Sequence, residues 1–126
     1  MALENLTKEN FNDKVNAAEI AVLDFWAPWC GPCRQFSPIF EKVAGENPEM
    51  LFGKINTEEE QEIAASFNIQ SIPTVGIIRE GVLLFLQPGL LPEEGLKDLL
   101  EQVKKLDMDQ VRKEIAEQQA NASQEG

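Results

Sequence analysis

The stretch Trp29-Cys30-Gly31-Pro32-Cys33 holds both cysteines of this 126-residue chain, which has no histidine. Two thiols are sufficient to form and break a disulfide with each other or with another protein. A zinc site takes more protein ligands than two cysteines supply, so a metal role would need carboxylates or a second chain. Two buried thiols with only a packing role are the other alternative. The residue count therefore favours dithiol-disulfide exchange without a metal.

The elements on either side of this motif place the two thiols differently. Ile20–Trp26 is almost entirely apolar, which predicts a buried strand in a sheet that is covered on both faces. Apolar residues then recur at helical spacing as far as residues 45–48, where turn formers and a proline end the pattern. Free N–H groups and the dipole at the start of that helix would stabilise a Cys30 thiolate. We expect Cys30 to be the exposed nucleophile and Cys33, one turn further on, the less accessible resolving thiol.

The rest of the hydrophobic pattern predicts alternating strands and helices, ending in a hairpin and a helix. Such an order is typical of an α/β fold with a mixed sheet and helices on both faces. The further elements are a helix after an N-cap at Thr7, a strand over residues 50–56, a helix opened by a capping box at Thr57 and Glu60, strands over 74–79 and 82–86 joined by Glu80-Gly81, and a helix from Glu93 to Lys105.

The end of the chain has a different composition. Asp107 and Gln110 have the spacing of a capping box, and a narrow apolar stripe follows before the sequence becomes small and polar. The pattern predicts an extra helix over residues 107–119 and a disordered end. We therefore divide the chain into a domain over residues 1–105 and a C-terminal helical extension over residues 106–126. Docking on the domain, a solvated tail and a partner contact all remain open for this helix.

The overall charge limits the classes of partner. A net charge of −11 opposes binding to nucleic acid, which needs clustered lysine and arginine, and also opposes binding to anionic membranes. The start of the chain lacks the pattern of a secretory signal, and no apolar run is long enough to cross a bilayer. We expect a cytoplasmic protein. In that reducing compartment a close cysteine pair is more often catalytic or redox-sensing than structural.

The motif and its surroundings also resemble a known family. The stretch "VLDFWAPWCGPCRQFSPIF" resembles the active-site region of thioredoxins, and "FGKIN", "FNIQSIPTVGIIREG" and "PGLLPEEGLKDLL" resemble later segments in the same order, over about residues 3–104. The resemblance implies a thioredoxin fold, with a central five-stranded mixed sheet flanked by helices, to which the extra C-terminal helix is added. It also implies a protein-disulfide reductase, expected to be monomeric and to need no cofactor. Its implied partners are disulfide-containing client proteins and an external thioredoxin reductase.

Two charged residues match positions of that family beneath the cysteines. Asp24 matches the buried carboxylate that exchanges a proton with the resolving thiol, here Cys33. Burial in an apolar strand independently predicts a raised pKa for Asp24. Lys54 matches the lysine that approaches this carboxylate. A structural aspartate and a merely solvated lysine are the alternatives.

The remaining candidates concern client binding. The resemblance implies a cis peptide bond at Ile72-Pro73, which would expose the Ile72 backbone to an extended client segment. An ordinary proline at the start of a strand is the alternative. The sequence Pro88-Gly89-Leu90 departs from the family pattern beside this proline, which leaves the choice of client open. The substrate-binding candidates are Trp29, Gly31, Pro32, Ile72, Pro73 and Gly89.

A second hypothesis comes from a different class of protein. The fold and its C-terminal helix could serve to hold partners, as in a binding or chaperone module, with the cysteines secondary. Loss of disulfide reduction on replacement of Cys30 would favour the enzyme over this alternative.

Overall fold

The strands of this protein form one mixed sheet, with helices packed on both faces. A computed structural model describes residues 3–125. The sheet has five strands in the order β1-β3-β2-β4-β5, in which β1, β3 and β2 are parallel and β4 and β5 are antiparallel to their neighbours. The elements are β1 (Leu3–Asn5), α1 (Phe11–Ala17), β2 (Ile20–Trp26), α2 (Gly31–Glu46), β3 (Leu51–Asn56), α3 (Gln61–Ser66), β4 (Thr74–Arg79), β5 (Val82–Pro88), α4 (Glu93–Lys105) and α5 (Met108–Glu125). The predicted α/β fold is confirmed.

Strand β2 lies at the centre of the sheet, which explains why its sequence is so apolar. It pairs with β3 on one side and with β4 on the other, and all of its residues except Trp26 are buried. Successive side chains of a strand point to opposite faces. Val22 therefore packs in the core beneath α2 and α4, whereas Leu23 packs in the core beneath α1 and α3. The acidic side chain of Asp24 shares the face of Val22.

The end of β2 leads directly into the start of α2, and this junction carries both cysteines. Cys30 is the N-cap residue of α2, with extended backbone angles, and Pro32 stands in the first turn. Proline suits this position because it has a helical φ and no N–H that needs a partner. The boundary predicted from the sequence is thus confirmed.

The hairpin between β4 and β5 has the predicted two-residue turn. Glu80 and Gly81 both have positive φ, at 50° and 78°. Two consecutive positive values define the tight turn whose twist matches that of paired strands. The turn lies at the opposite end of the sheet from the cysteines, because Arg79 at the end of β4 pairs with Ile20 at the start of β2.

Two local predictions were wrong, and one strand was missed. Helix α1 begins at Phe11 rather than just after Thr7, because a turn comes first in which the Asn10 side chain accepts the Thr7 N–H. The capping box at Thr57 does not form, since the Thr57 hydroxyl donates to the Trp26 carbonyl, and α3 begins only at Gln61. Strand β1 had no sequence signal of its own.

The C-terminal helix α5 follows α4 after a short break. Asp107 accepts the N–H groups of Asp109 and Gln110, so its half of the predicted capping box is present, whereas the Gln110 side chain donates to Glu114 instead. The helix continues to Glu125, beyond the predicted end at residue 119. Alanine, glutamine and glutamate are good helix formers and extend it. Gly126 lies outside the described residues.

Contacts near the hairpin turn fix the start of α5. The Arg79 guanidinium donates to the carbonyls of Val103 and Leu106, and Met108 is buried. Arg112 forms an ion pair with Glu80 at 3.1 Å. These contacts hold α5 at the end of the sheet remote from the cysteines. Within residues 3–125, none of the helices combines the length and apolar character needed to span a bilayer.

Candidate active site

The two cysteines form a disulfide at the start of α2. Their Cα atoms lie 5.2 Å apart, and the Cys33 N–H donates to the Cys30 Sγ over 3.2 Å. This N–H is one of the unpaired donors that begin every helix. A negative charge on the same sulfur would be stabilised by that donor and by the helix dipole.

Exposure does not separate the two cysteines, so the expectation of an exposed Cys30 was wrong. Only 4% of Cys30 and 3% of Cys33 are accessible, because both pack with Ala27 and with the neighbouring Trp26 and Ile72. Their surroundings do differ. The Cys30 Sγ lies 3.8 Å from the carbonyl oxygen of Ile72, whereas Cys33 lines a small, partly open cavity.

The segment facing Cys30 contains a cis peptide bond. The bond joins Ile72 to the buried Pro73, as the resemblance implied. The Pro73 carbonyl accepts the N–H of Gly89 over 2.8 Å, which links this segment to the end of β5. Gly89 has a φ of 114°, a conformation that residues with a Cβ rarely adopt. Gly89 therefore positions the segment through this hydrogen bond. Its N–H is occupied by the Pro73 carbonyl and is not free to bind a client.

A surface groove runs from Trp29 past Ile72. Its volume is about 380 Å³, and Trp29 is 64% exposed beside it. The Trp29 indole N–H donates to the carboxylate of Glu58, which orients the ring. Gly31 and Pro32, which follow Cys30 in the chain, are also exposed. The groove is lined by Trp29, Thr57, Gln61, Ala64, Ala65, Ile69, Gln70, Ser71 and Ile72.

Asp24 lies fully buried beneath the disulfide-bearing helix. Neither of its carboxylate oxygens has a hydrogen-bond partner among residues 3–125. Burial raises the pKa of Asp24 from its ordinary value of 3.8 to about 7, although the positive charge of Lys54 acts in the opposite direction. The raised pKa predicted from the sequence is thus present. A carboxyl with this pKa can gain or lose a proton near neutral pH.

Lys54 is the partner of Asp24 in the register of β2 and β3, but its ammonium binds elsewhere. Lys54 Nζ donates to the Ser37 hydroxyl over 2.8 Å and lies 5.1 Å from the centre of the Trp26 ring. It borders a cavity of about 70 Å³ together with Trp26, Cys33, Arg34 and Ser37. That volume is sufficient for a water molecule.

Two polar residues of this site were missed in the sequence. Ser37 stands four positions after Cys33, a spacing that places both on one face of a helix, and this signal could have revealed it. Glu58 contacts Trp29 only because the loop after β3 lies beside the loop after β2. Nothing in the local sequence indicated that contact.

Residues 3–125 contain no cluster of three or more cysteine, aspartate or glutamate side chains placed to hold a metal ion.

A cysteine pair that forms a disulfide at the start of a helix, above a buried carboxyl, defines a thiol-disulfide oxidoreductase. The sequence profile of the Thioredoxin family matches residues 2–102. The chain belongs to the thioredoxin family and has the fold and the reductase chemistry of its members.

Individual relatives agree with this assignment. The Streptomyces coelicolor protein named "Putative thioredoxin 2" is 56% identical over 117 residues, covering 93% of this chain and 87% of that protein. The thioredoxin of Bacillus subtilis is 34% identical and covers 79% of this chain and 96% of its own length. The match to the Streptomyces protein therefore extends into the C-terminal extension.

Solved structures show the same fold. A mutant thioredoxin from Halobacterium salinarum superposes with a TM-score of 0.77 at 28% identity, covering 84% of this chain and 94% of that one. The thioredoxin of Plasmodium falciparum gives a TM-score of 0.73 at 29% identity, with coverage of 79% and 97%.

Proposed function

We propose that Cys30 is the nucleophile of this reductase. In the reduced protein its thiolate attacks one sulfur of a client disulfide, which breaks that bond and joins Cys30 to the client. The sulfur that leaves takes up a proton. The N–H of Cys33, 3.2 Å from the Cys30 Sγ, carries this assignment because it stabilises negative charge on Cys30.

Cys33 then acts as the resolving thiol. Its thiolate attacks the Cys30 Sγ, which forms the Cys30–Cys33 disulfide and expels the second client sulfur as a thiolate that is then protonated. Two electrons pass from the cysteine pair to the client, and the chain is left oxidised. The Cα separation of 5.2 Å supports this role, since the two sulfurs can bond without a change in the helix.

Asp24 accepts the proton that Cys33 must lose before it attacks. The raised pKa of Asp24, about 7, supports this role because a base works best when its pKa lies near the working pH. Lys54 provides a positive charge beside Cys33 across the small cavity. That charge favours the thiolate form of Cys33 while the proton moves to Asp24.

The client segment lies across Trp29, Gly31 and Pro32 and against Ile72. The exposed Trp29 ring and the groove beside it supply apolar contact, and the Ile72 backbone beside the cis bond supplies hydrogen bonds to the client. Gly89 acts indirectly, because its N–H donates to the Pro73 carbonyl and so positions the segment that contacts the client.

The partners follow from membership of the family. Thioredoxins are reduced by thioredoxin reductase and act on proteins with disulfides, and we assign the same donor and clients to this chain. Its place of action is the cytoplasm, where a reductase of this kind keeps client thiols reduced, and it acts as a monomer without a cofactor. The net charge of −11 disfavours binding to nucleic acid and to anionic membranes, which supports proteins as the clients.

Insulin reduction with dithiothreitol as electron donor tests the proposal. The parent protein accelerates precipitation of the insulin B chain, and Cys30→Ser gives the rate of dithiothreitol alone. An equal rate for parent and Cys30→Ser would show that the cysteine pair is not the catalyst and would favour a binding module.

A further inference from the structure

Ser37 and Cys33 border the same small cavity. They stand four residues apart on α2, so their side chains are neighbours on one face of the helix. That face packs against the sheet beside β2 and β3. The Ser37 hydroxyl is half-buried there and accepts a hydrogen bond of 2.8 Å from Lys54 Nζ.

The Lys54 ammonium has two possible hydrogen-bond partners, Asp24 and Ser37, and it binds Ser37. Asp24 and Lys54 are register partners on adjacent parallel strands, which places both side chains on the face covered by α2. A buried carboxylate would normally attract such an ammonium. Yet both Asp24 oxygens lack a partner within residues 3–125, while the ammonium is bound to Ser37.

We propose that Ser37 is a positioning residue of the exchange reaction, whose hydroxyl holds the Lys54 ammonium beside Cys33 and away from the Asp24 carboxylate. The inference rests on the proposed roles of Asp24 and Cys33. It adds a residue that touches neither the client nor the reacting sulfurs and acts through Lys54.

The charges around the cavity explain why the position of the Lys54 ammonium matters. The titratable or charged groups that face it are Cys33 and Arg34 on α2 and Lys54 on β3, with Asp24 beneath them on β2. A direct ion pair with Lys54 would lower the pKa of Asp24 and make it a weaker base. With Lys54 held by Ser37, Asp24 keeps a pKa of about 7 and Cys33 keeps a positive neighbour.

A titration of the Asp24 carboxyl in the oxidised protein tests this directly. Carbon-13 NMR follows the side-chain carboxyl of Asp24 in the parent, in Ser37→Ala, and in the isosteric pair Ser37→Thr and Ser37→Val. Ser37→Ala and Ser37→Val should lower the midpoint by about one pH unit or more, because Lys54 becomes free to pair with Asp24. Ser37→Thr keeps the hydroxyl and should titrate like the parent. Parent-like midpoints in both variants without the hydroxyl would overturn the proposal.

The same titration in a Lys54→Met background separates this role from a packing role. If Ser37 acts through Lys54, Ser37→Ala changes nothing further once the ammonium is gone. A lower midpoint that persists in Lys54→Met would contradict the proposal. These measurements need no client and no reductase, so they stand apart from insulin reduction. A parent that fails to reduce insulin would overturn the proposed function but would leave the titration result intact.

Discussion

The N–H of Cys33 points at the sulfur of Cys30, 3.2 Å away, across the first turn of α2. The same donor would bind a Cys30 thiolate more strongly, since hydrogen bonds to charged acceptors are about twice as strong as neutral ones. No comparable donor to the Cys33 sulfur is found among residues 3–125, where that sulfur borders the cavity shared with Lys54. The geometry thus supports different tasks for two cysteines that are equally buried.

Trp29 should contribute to client binding rather than to the exchange step. Trp29→Ala removes an exposed ring beside the groove, so we expect KM for insulin to rise about threefold to tenfold with a smaller change in kcat. Glu58→Gln keeps an acceptor for the indole N–H and should change KM less. Initial rates over a range of insulin concentrations measure both. A KM for Trp29→Ala equal to that of the parent would remove Trp29 from the client surface.

Asp24 should destabilise the folded protein at neutral pH. Below pH 3.8 the carboxyl is protonated in both the folded and the unfolded chain. Between pH 3.8 and about 7 the unfolded chain ionises while the folded chain keeps its proton, so the free energy of unfolding falls as pH rises. Above the folded pKa the loss is complete, at about 4 kcal/mol.

Asp24→Asn removes this pH-dependent loss. We expect the variant to be more stable than the parent by about 4 kcal/mol at pH 8, with the difference close to zero at pH 4. Urea unfolding of both oxidised proteins at the two pH values measures it. A stability difference that is the same at pH 4 and pH 8 would show that Asp24 titrates normally.

Deletion of residues 107–126 should spare the reaction and cost stability. Helix α5 begins beside the hairpin turn at the end of the sheet remote from Cys30, so insulin reduction should stay within about twofold of the parent. The buried Met108 is lost, which should lower the free energy of unfolding by about 2 kcal/mol. Arg112→Ala, which removes only two exposed ion pairs, with Glu80 and Asp109, is the control and should change stability by less than about 1 kcal/mol. A large loss of activity on deletion would mean that α5 supports the active site.

Gly89 should resist replacement, whereas Gly31 should not. Gly89→Ala forces a residue with a Cβ to a φ of 114°, at a cost of about 1–3 kcal/mol. Gly31 has no neighbour within 4 Å of an added Cβ and a helical conformation, so Gly31→Ala should be near neutral. Thermal unfolding of the two variants compares them. Equal melting temperatures would show that the backbone at Gly89 relaxes easily.

The elements that were predicted correctly are those whose structure is determined by the local sequence pattern. Strand β2 is buried on both faces, so its sequence is an almost continuous apolar run. Two residues between two apolar segments, as at Glu80-Gly81, are typical of a tight β-hairpin. Strand β1 spans only Leu3–Asn5 and is defined by its pairing with β3, which no local pattern expresses. Thr57 had the right spacing for a cap, but its hydroxyl found a tertiary acceptor on Trp26.

The candidate site also combines features that local sequence predicts with contacts that it does not. The CxxC motif was evident from residue types alone, and the cis bond at Ile72-Pro73 came only from the resemblance. The bonds of Glu58 to Trp29 and of Lys54 to Ser37 join residues far apart in the chain. Such contacts depend on the packing of whole elements, so the sequence could not predict them.

The central claim is that Cys30 attacks and Cys33 resolves, and trapping a mixed disulfide tests it most directly. Reduced Cys33→Ser and reduced Cys30→Ser are each mixed with insulin, quenched with acid and analysed by intact mass. Cys33→Ser should accumulate a covalent adduct with an insulin chain through Cys30, whereas Cys30→Ser should remain almost entirely unmodified. Adduct formation at equal rates in both variants, or only in Cys30→Ser, would contradict the account.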